Sequence, residues 1–350
     1  GLLKGSSLSE PTAAMFVPKQ APVMASLLVN PDRLQNLRLL VANPRDRKNA
    51  RLEFEQFKQG ILGSSELDYQ RDVQPWLGDE ITAAITTLDI DRDPANGQEP
   101  GYLLALATKN TEQSREFLQL FWQKRAIAGT ELAFDDYQGT KIIYGKVQNE
   151  GIPITLATGV VGTRYVLFAN SPKVLRDAIN NVQAEDLNLT SSTKYQQTIA
   201  ALDRGRIAVA FLNAPELAAL NHQEPPEKDI TAAIAVGLDR RGLIAETTIL
   251  GASDSASTVK QDRPVEALKY IPAISPIAAS GQNLDQLWSG ISKVQYGNLS
   301  QLVNQPIAAL QSRWNLNLPQ DIFKWVKSEY ALALVPNDET LDWVFVADKS

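Results

Sequence analysis

Residues 14–26 read AMFVPKQAPVMAS, and residues 268–280 read LKYIPAISPIAAS. Phe16-Val17-Pro18 falls on Tyr270-Ile271-Pro272, Pro22 on Pro276 and Ala25-Ser26 on Ala279-Ser280, all at one offset. Three further blocks follow in the same order. NPDRL at 30–34 meets NLDQL at 283–287. DVQPWLGDEI at 72–81 meets DIFKWVKSEY at 321–330, with Asp72, Trp76 and Glu80 on Asp321, Trp325 and Glu329. LALATKN at 104–110 meets FVADKS at 345–350, with Ala107 on Ala347 and Lys109 on Lys349. Four ordered blocks separated by small insertions mark an internal duplication. The prolines have a physical role in it. Proline fixes φ and keeps the residue before it out of the helical region, so Pro18 and Pro22 hold an extended entry that leads straight into a strand beginning VMASLLV. Trp76 reads as a core anchor, and its recurrence at 325 predicts two tryptophans buried in equivalent places.

The repeat sets the domain organisation. GLLKGSSLSEPTAA is rich in Gly, Ser and Pro, so residues 1–13 read as a flexible tether. Residues 14–250 form the first repeat unit, the polar Ser/Thr-rich stretch 251–264 a linker, and 265–350 the start of the second. In the first copy the point matching Lys349 runs on into TEQSREFLQLFWQK and further strands. The second copy therefore reads as truncated, with the natural chain expected to continue past 350. The missing initiator Met points to a removed upstream segment, either a signal or membrane anchor or a tag.

The pattern of elements is α+β, with mostly antiparallel sheets and helices packed on them. Apolar runs pass into Asn and then a helical pattern at LLVNPDRLQNL, LALATKNTEQSREFL, VLFANSPKVLRDAI and AVAFLNAPELAAL, which predicts Asn N-caps for strand-then-helix units. Helices are expected at 31–42, 45–62, 111–126, 172–183, 193–202 and 214–221, with a turn at 72–77 capped by Asp72. Strands are expected at 23–29, 80–89, 101–108, 140–148, 152–158, 164–169, 206–212, 230–239 and 243–250, and 341–348 is expected to pair antiparallel with 329–335. DDYQGTKIIYG and LDRRGLI read as hairpins with Gly at the permissive position. Phe117, Leu118 and Phe121 should cover the sheet.

Composition narrows the chemistry. At 350 residues, 44% hydrophobic and 21% charged, the chain can bury large cores in more than one domain. A net charge of −6 argues against nucleic-acid partners. No cysteine is present, which excludes disulfides, thiolate catalysis and Cys-based metal centres, and a single histidine, His222, excludes multi-histidine sites. The most chemical-looking stretch is DIDRDPANGQE, where Asp89, Asp91 and Asp93 alternate as in a calcium loop. Pro94 stands where that loop needs Gly and Pro100 where it needs Glu, so a solvated hairpin loop competes with the metal site. SSTK at 191–194 contains Ser-x-x-Lys, but without companion motifs it reads as a helix cap before Tyr195, and no nucleophile elbow, phosphate loop or dinucleotide fingerprint occurs. No catalytic or cofactor-binding residue is assigned, and no cofactor is expected.

The FVPxxxP opening, the YxGxxIxY hairpin at 137–144, YVLFANSPKVLRDAIN at 165–180 and KYQQTIAAL with IAVAFLN across 194–213 together resemble the cyanobacterial domain of unknown function numbered three-three-five-two. The resemblance covers most of the chain. It implies an exported domain held by a short N-terminal hydrophobic helix, and it carries over no catalytic residue. The leading expectation is a non-enzymatic, envelope-anchored ectodomain on the periplasmic or thylakoid-lumen side. It would bind an unknown protein partner there as an assembly module and reach the membrane only through an N-terminal anchor absent from this sequence. Two other readings stand beside it: a carrier of an apolar ligand such as a lipid or pigment, and a carboxylate-based hydrolase. An apolar cavity above about 300 Å³ favours the carrier, converging carboxylates of raised pKa favour the hydrolase, and an exposed apolar patch on a smooth surface favours the binding module.

Overall fold

The computed structural model describes residues 10–33, 68–93, 95–149, 152–202, 206–220, 229–239, 242–251, 265–272, 277–285, 316–337 and 340–348, with scattered positions besides. The helix expected at 45–62, most of the one at 31–42, and nearly all of the 251–264 linker lie outside the described residues. Contacts divide the α+β chain into two compact units, 1–212 and 213–350, so the division falls upstream of that linker.

Eight strands run through the first unit: β1 Val23–Leu27, β2 Leu77–Thr87, β3 Gly101–Thr108, β4 Leu132–Tyr137, β5 Thr140–Asn149, β6 Ile152–Val161, β7 Tyr165–Ala169 and β8 Arg206–Asn213. They lie side by side in the order β8-β1-β2-β3-β7-β6-β5-β4 and pair antiparallel. Strand β4 extends the sheet through a two-residue turn in which Gln138 and Gly139 both have positive φ, the conformation that matches strand twist. Helix α1, Thr111–Ile127, follows β3, helix α2, Pro172–Gln183, follows β7, and helix α3, Thr193–Ala200, precedes β8.

Alternate side chains of each strand face opposite ways, and the two faces are covered by different elements. Leu103, Ala105 and Leu167 pack under α2 through Val174, Leu175, Ala178 and Ile179, a stripe one helical face wide. Leu106, Val166 and Phe168 pack toward α1 through Phe117, Leu118, Phe121 and Trp122. Trp122 Nε1 donates to Thr158 Oγ1 at 2.7 Å, which seats the helix on β6. Asn110 caps α1 by accepting from Gln113 N–H, and Ser192 caps α3 in the same way from Tyr195 N–H. Asn170, expected as the cap of α2, is not the cap; Ser171 is, with Pro172 in the first turn. Asn170 instead accepts from Tyr102 N–H and donates to the Pro100 carbonyl, clamping β7 to the start of β3.

The opening segment is part of this core. Residues 11–13, read from sequence as the end of a tether, lead a turn of 3₁₀-helix, Thr12–Phe16, in which Ala13, Ala14 and Phe16 are fully buried. Pro18 then bridges to Asn188, Ala21 N–H closes a turn on the Pro18 carbonyl, and Pro22 immediately precedes β1, so the two prolines do hold an extended entry. Buried Glu80 of β2 fastens this segment. It accepts from Ala13 N–H at 2.8 Å, from Thr12 Oγ1 at 2.6 Å, from the Tyr165 hydroxyl at 2.8 Å and from Thr82 Oγ1 at 3.0 Å.

The second unit contains helix α4, Ala214–Leu220, the hairpin β9 Thr231–Asp239 and β10 Gly242–Leu250, a helical turn Glu266–Tyr270, strand β11 Ile277–Gln282, a short helix α5 Leu318–Asp321, and strands β12 Glu329–Asn337 and β13 Thr340–Ala347. The last three strands form an antiparallel sheet in the order β11-β12-β13. They repeat the β1-β2-β3 arrangement in detail. Val23 faces Ile85 and Ala25 faces Ala83; at the corresponding positions Ile277 faces Leu334 and Ala279 faces Leu332. Asp72 accepts from Asp68 N–H while Trp76 Nε1 donates to the Asp72 carbonyl; Asp321 accepts from Asn317 N–H while Trp325 Nε1 donates to the Asp321 carbonyl. Glu329 accepts from Glu266 N–H, as Glu80 does from the first segment.

Three further expectations need correction. The cap of the 69–73 turn is Asp68, not Asp72, which sits inside the turn and bonds back to its start. Ile81 faces Leu106 whereas its counterpart Tyr330 faces Ala347, so Leu106 rather than Ala107 is the counterpart of Ala347. Hairpin register is set by the turn, and the loop between β2 and β3 is much longer than that between β12 and β13. Trp76 is buried, but Trp325 is 46% exposed. Phe117 of α1 lies against Trp76 with ring centroids 5.1 Å apart, and no aromatic neighbour of that kind covers Trp325 among the described residues.

Candidate ligand cavity

Strand β2 carries both of its isoleucines on the less buried face. Glu80, Thr82, Ala84 and Thr86 are the buried ones, while Ile81 and Ile85 are only partly covered and Ala83 is exposed. The buried polar groups are satisfied: Ser26 and Thr82 share a hydrogen bond at 2.7 Å, Thr86 Oγ1 donates to the Gly101 carbonyl, and Glu80 is held as described. Strand β1 buries Met24 and Ser26 and turns Val23 and Ala25 the other way. An incompletely covered aliphatic face on a central strand is the informative departure, because ordinary folding would place those side chains in the core.

That face is the floor of a cavity of about 620 Å³ inside the first unit. Among the described residues the floor comprises Val23, Ala25, Ile81, Ala83, Ile85 and Leu104. The walls come from Phe117 and Phe121 of α1, Trp76 with Tyr69 and Val73 of the preceding turn, and Phe168, Ile154 and Leu156 of β7 and β6. Small side chains make the room: Ala25 and Ala83 face each other across the β1–β2 ladder. In the second unit Leu332 occupies the position of Ala83. At the edge stand Tyr102, 51% exposed, and Ile154, 39% exposed, which leave the cavity open to solvent.

Among the described residues few polar groups reach this space. Asn170 is committed to the Tyr102 and Pro100 backbone. Arg125, in the last turn of α1, is the charged side chain among the described lining residues. Its guanidinium lies over the Phe121 ring, 3.4 Å from the centroid, and Nη1 donates to the Phe121 carbonyl at 3.1 Å. Phe121 is in turn held edge-on by Trp122 and by Phe168. Chemically the cavity can take hydrocarbon along its length. Among the described residues it offers no nucleophile–base pair.

The residues that sequence reasoning singled out lie elsewhere. Asp89, Asp91 and Asp93 serve as turn acceptors rather than as one ligand set. Asp89 accepts from Glu99 N–H, Asp91 from Asp93 N–H and the Asn96 amide, and Asp93 from Ala95 N–H. The Asn96 bond, with that of Asp93, holds the Asp91 carboxyl below its usual range. No group of three potential metal ligands forms among the described residues. His222 has a positive φ of 55° and sits just past α4. Glu216 is the carboxylic acid among the described residues that burial pushes up, and it stands on α4 without a partner carboxylate of that kind. Arg125 and the paired alanines were missed. Their signal was the alternation itself, since ITAAITT puts Ile, Ala and Ile on one face and Thr, Ala and Thr on the other.

No helix among the described residues is long and apolar enough to cross a membrane. Comparison with curated proteins yields no match. Among solved structures, two crystal forms of TP0453 are similar. Form III shares 9% identity at a TM-score of 0.33, covering 70% of this chain and 81% of the other. Form IV shares 8% identity at a TM-score of 0.32, covering 71% and 82%. The chain belongs to the family described as "Protein of unknown function (DUF3352)", which it matches over residues 1–350.

Proposed function

We propose that the first unit is a carrier of an apolar ligand, binding one hydrocarbon molecule in the cavity beside α1. One observation carries this reading. Strand β2 buries Glu80, Thr82 and Thr86, while Val23 of β1 and Ile81 and Ile85 of β2 line an open space of about 620 Å³. That volume lies well inside the roughly 300–1,000 Å³ of small-molecule sites, which are mostly apolar with a few placed polar groups. Covering such a face with a ligand removes apolar area from water at about 25 cal/mol per Å², a driving force that the empty protein forgoes. The assembly-module reading rests on a different feature, the exposed aromatics Tyr270 and Trp325 of the second unit. Location on the exported side of an envelope or thylakoid membrane belongs to the same proposal and rests on the family resemblance.

The test uses the full chain purified without detergent. Organic extraction followed by mass spectrometry should return a stoichiometric hydrocarbon ligand, and Ala83→Trp should abolish its retention while leaving the thermal midpoint within a few degrees. Substitution at an exposed alanine fills space and breaks no core contact, so loss of ligand with the fold intact is the expected result. An equal ligand yield from Ala83→Trp and wild type would sink the carrier reading. In that case recovery of a protein partner by crosslinking would favour the assembly module.

A further inference from the structure

We infer that the ligand is one flexible hydrocarbon chain selected by its length, with its head group left outside in water. This rests on the carrier reading and specifies it. Volume sets the limit. At roughly 30 Å³ per methylene, close to a water's share of the liquid, a cavity of about 620 Å³ holds about 20 methylenes. That is one chain, and too little space for the two chains of a membrane lipid.

A cavity measures length only if its walls do not yield, and these walls are braced. Trp76 is fixed by its indole bond to the Asp72 carbonyl and lies against Phe117. Phe121 packs beside Phe117 and is met edge-on by Trp122 and Phe168. Rings wedged in this way can move only by displacing their neighbours. The floor sets the remaining space. Ala25 and Ala83 face each other across the β1–β2 ladder with both side chains exposed, whereas the second copy sets Leu332 opposite Ala279. A head group finds little to recognise it. No carboxylate lines the cavity among the described residues, and the nitrogen-bearing side chains that do are already engaged. Asn170 holds the Tyr102 and Pro100 backbone, and the Trp76 indole holds Asp72. The Arg125 guanidinium is taken up by the Phe121 ring and carbonyl and has a further partner besides. The open side at Tyr102 and Ile154 leaves a polar head in solvent.

Competitive loading of the full chain tests this. The protein is incubated with an equimolar dispersion of saturated primary alcohols spanning about 10 to 28 carbons, either side of the limit set by volume, then recovered by gel filtration and extracted for gas chromatography. Retention should run level up to about 20 carbons and then fall by about fourfold for each further carbon, because every surplus methylene stays in water. Ala83→Leu should move that edge down by about three carbons, the volume that the larger side chain takes from the floor. Ala25→Leu should do the same from the opposite strand, and thermal midpoints report whether each variant is folded. Carboxylates and trimethylammonium salts of the same lengths should show the same edge and comparable retention. Level retention well past the limit, an edge unmoved in both folded variants, or retention of a diacylglycerol equal to that of the alcohols overturns the length assignment while the carrier reading stands. So does a preference above about tenfold for one head group, the scale of a charge-assisted bond. If no chain of any length is retained, the carrier reading falls with it.

Discussion

Asp72 shows how a single side chain can be conspicuous in sequence for one reason and matter in the fold for another. Its recurrence at 321 marks it as part of the repeat, and its place before Trp76 suggests a cap. In the structure Asp68 is the cap, and Asp72 closes the turn from inside by accepting from Asp68 N–H. The Arg71 guanidinium bonds the same carboxylate at 2.8 Å and is the main reason its pKa is held down to about 2, with the Asp68 N–H adding to it against partial desolvation. A carboxylate whose folded pKa lies below its unfolded value near 3.8 binds protons more readily when unfolded. Its contribution builds up to full size above the unfolded pKa near 3.8 and is lost as pH falls through about 2. Urea midpoints of wild type and Asp72→Asn measured from pH 6 to pH 2 should therefore converge at the acid end, the variant being less stable at pH 6. Parallel curves across the whole range would show that Asp72 contributes nothing through its charge. Buried Glu80 carries no comparable sequence signal beyond the repeat column it shares with Glu329, because its donors come from residues 12, 13, 82 and 165, too far apart in the chain to form a motif.

Among elements, the repeated strand–turn–strand unit gives a controlled comparison of one motif in two settings. Trp76 and Trp325 make the same indole bond to the carbonyl four residues before them, at 2.8 and 2.7 Å. Only Trp76 is sealed, by Phe117 of α1. Truncating a fully buried aromatic costs about 3–5 kcal/mol, so Trp76→Ala should lose about that much in urea unfolding of the full chain. Trp325→Ala should lose about 1 kcal/mol, the scale of its hydrogen bond. Similar losses for both would mean that Trp325 is covered in solution. The unequal burial also explains what the sequence could and could not disclose. Strands with strict alternation and helices with capping residues were legible to within a few residues, as β3, α1 and α2 show, because local spacing determines them. The exposure of Trp325 was not, since a repeat reports which residues recur and is silent on what covers them. Asn170 failed as a cap for a related reason: its partners, Tyr102 and Pro100, lie at the start of β3 and just before it, some seventy residues earlier.

Across the whole molecule the two copies of the β1-β2-β3 arrangement keep the pairing of their first two strands and differ in what their faces present. The first keeps Ala83 opposite Ala25 and a cavity above them; the second has Leu332 at the place of Ala83. A ligand that binds only the folded first unit stabilises it by RT ln(1 + [L]/Kd), about 2.7 kcal/mol at a hundredfold excess over Kd. That increment applies only to openings that dissolve the cavity. Hydrogen exchange of the full chain with and without saturating dodecanoate should accordingly slow the protected amides of β2 and β3 by up to about a hundredfold, and Ala83→Trp should cancel the effect. Amides of β12 and β13, which contribute no lining residue to that cavity among the described residues, should exchange at unchanged rates. Equal slowing in both sheets would place the ligand outside the cavity or on both repeats. The divergence between Ala83 and Leu332 would then be unrelated to binding, and a role for the first copy alone would have to be given up.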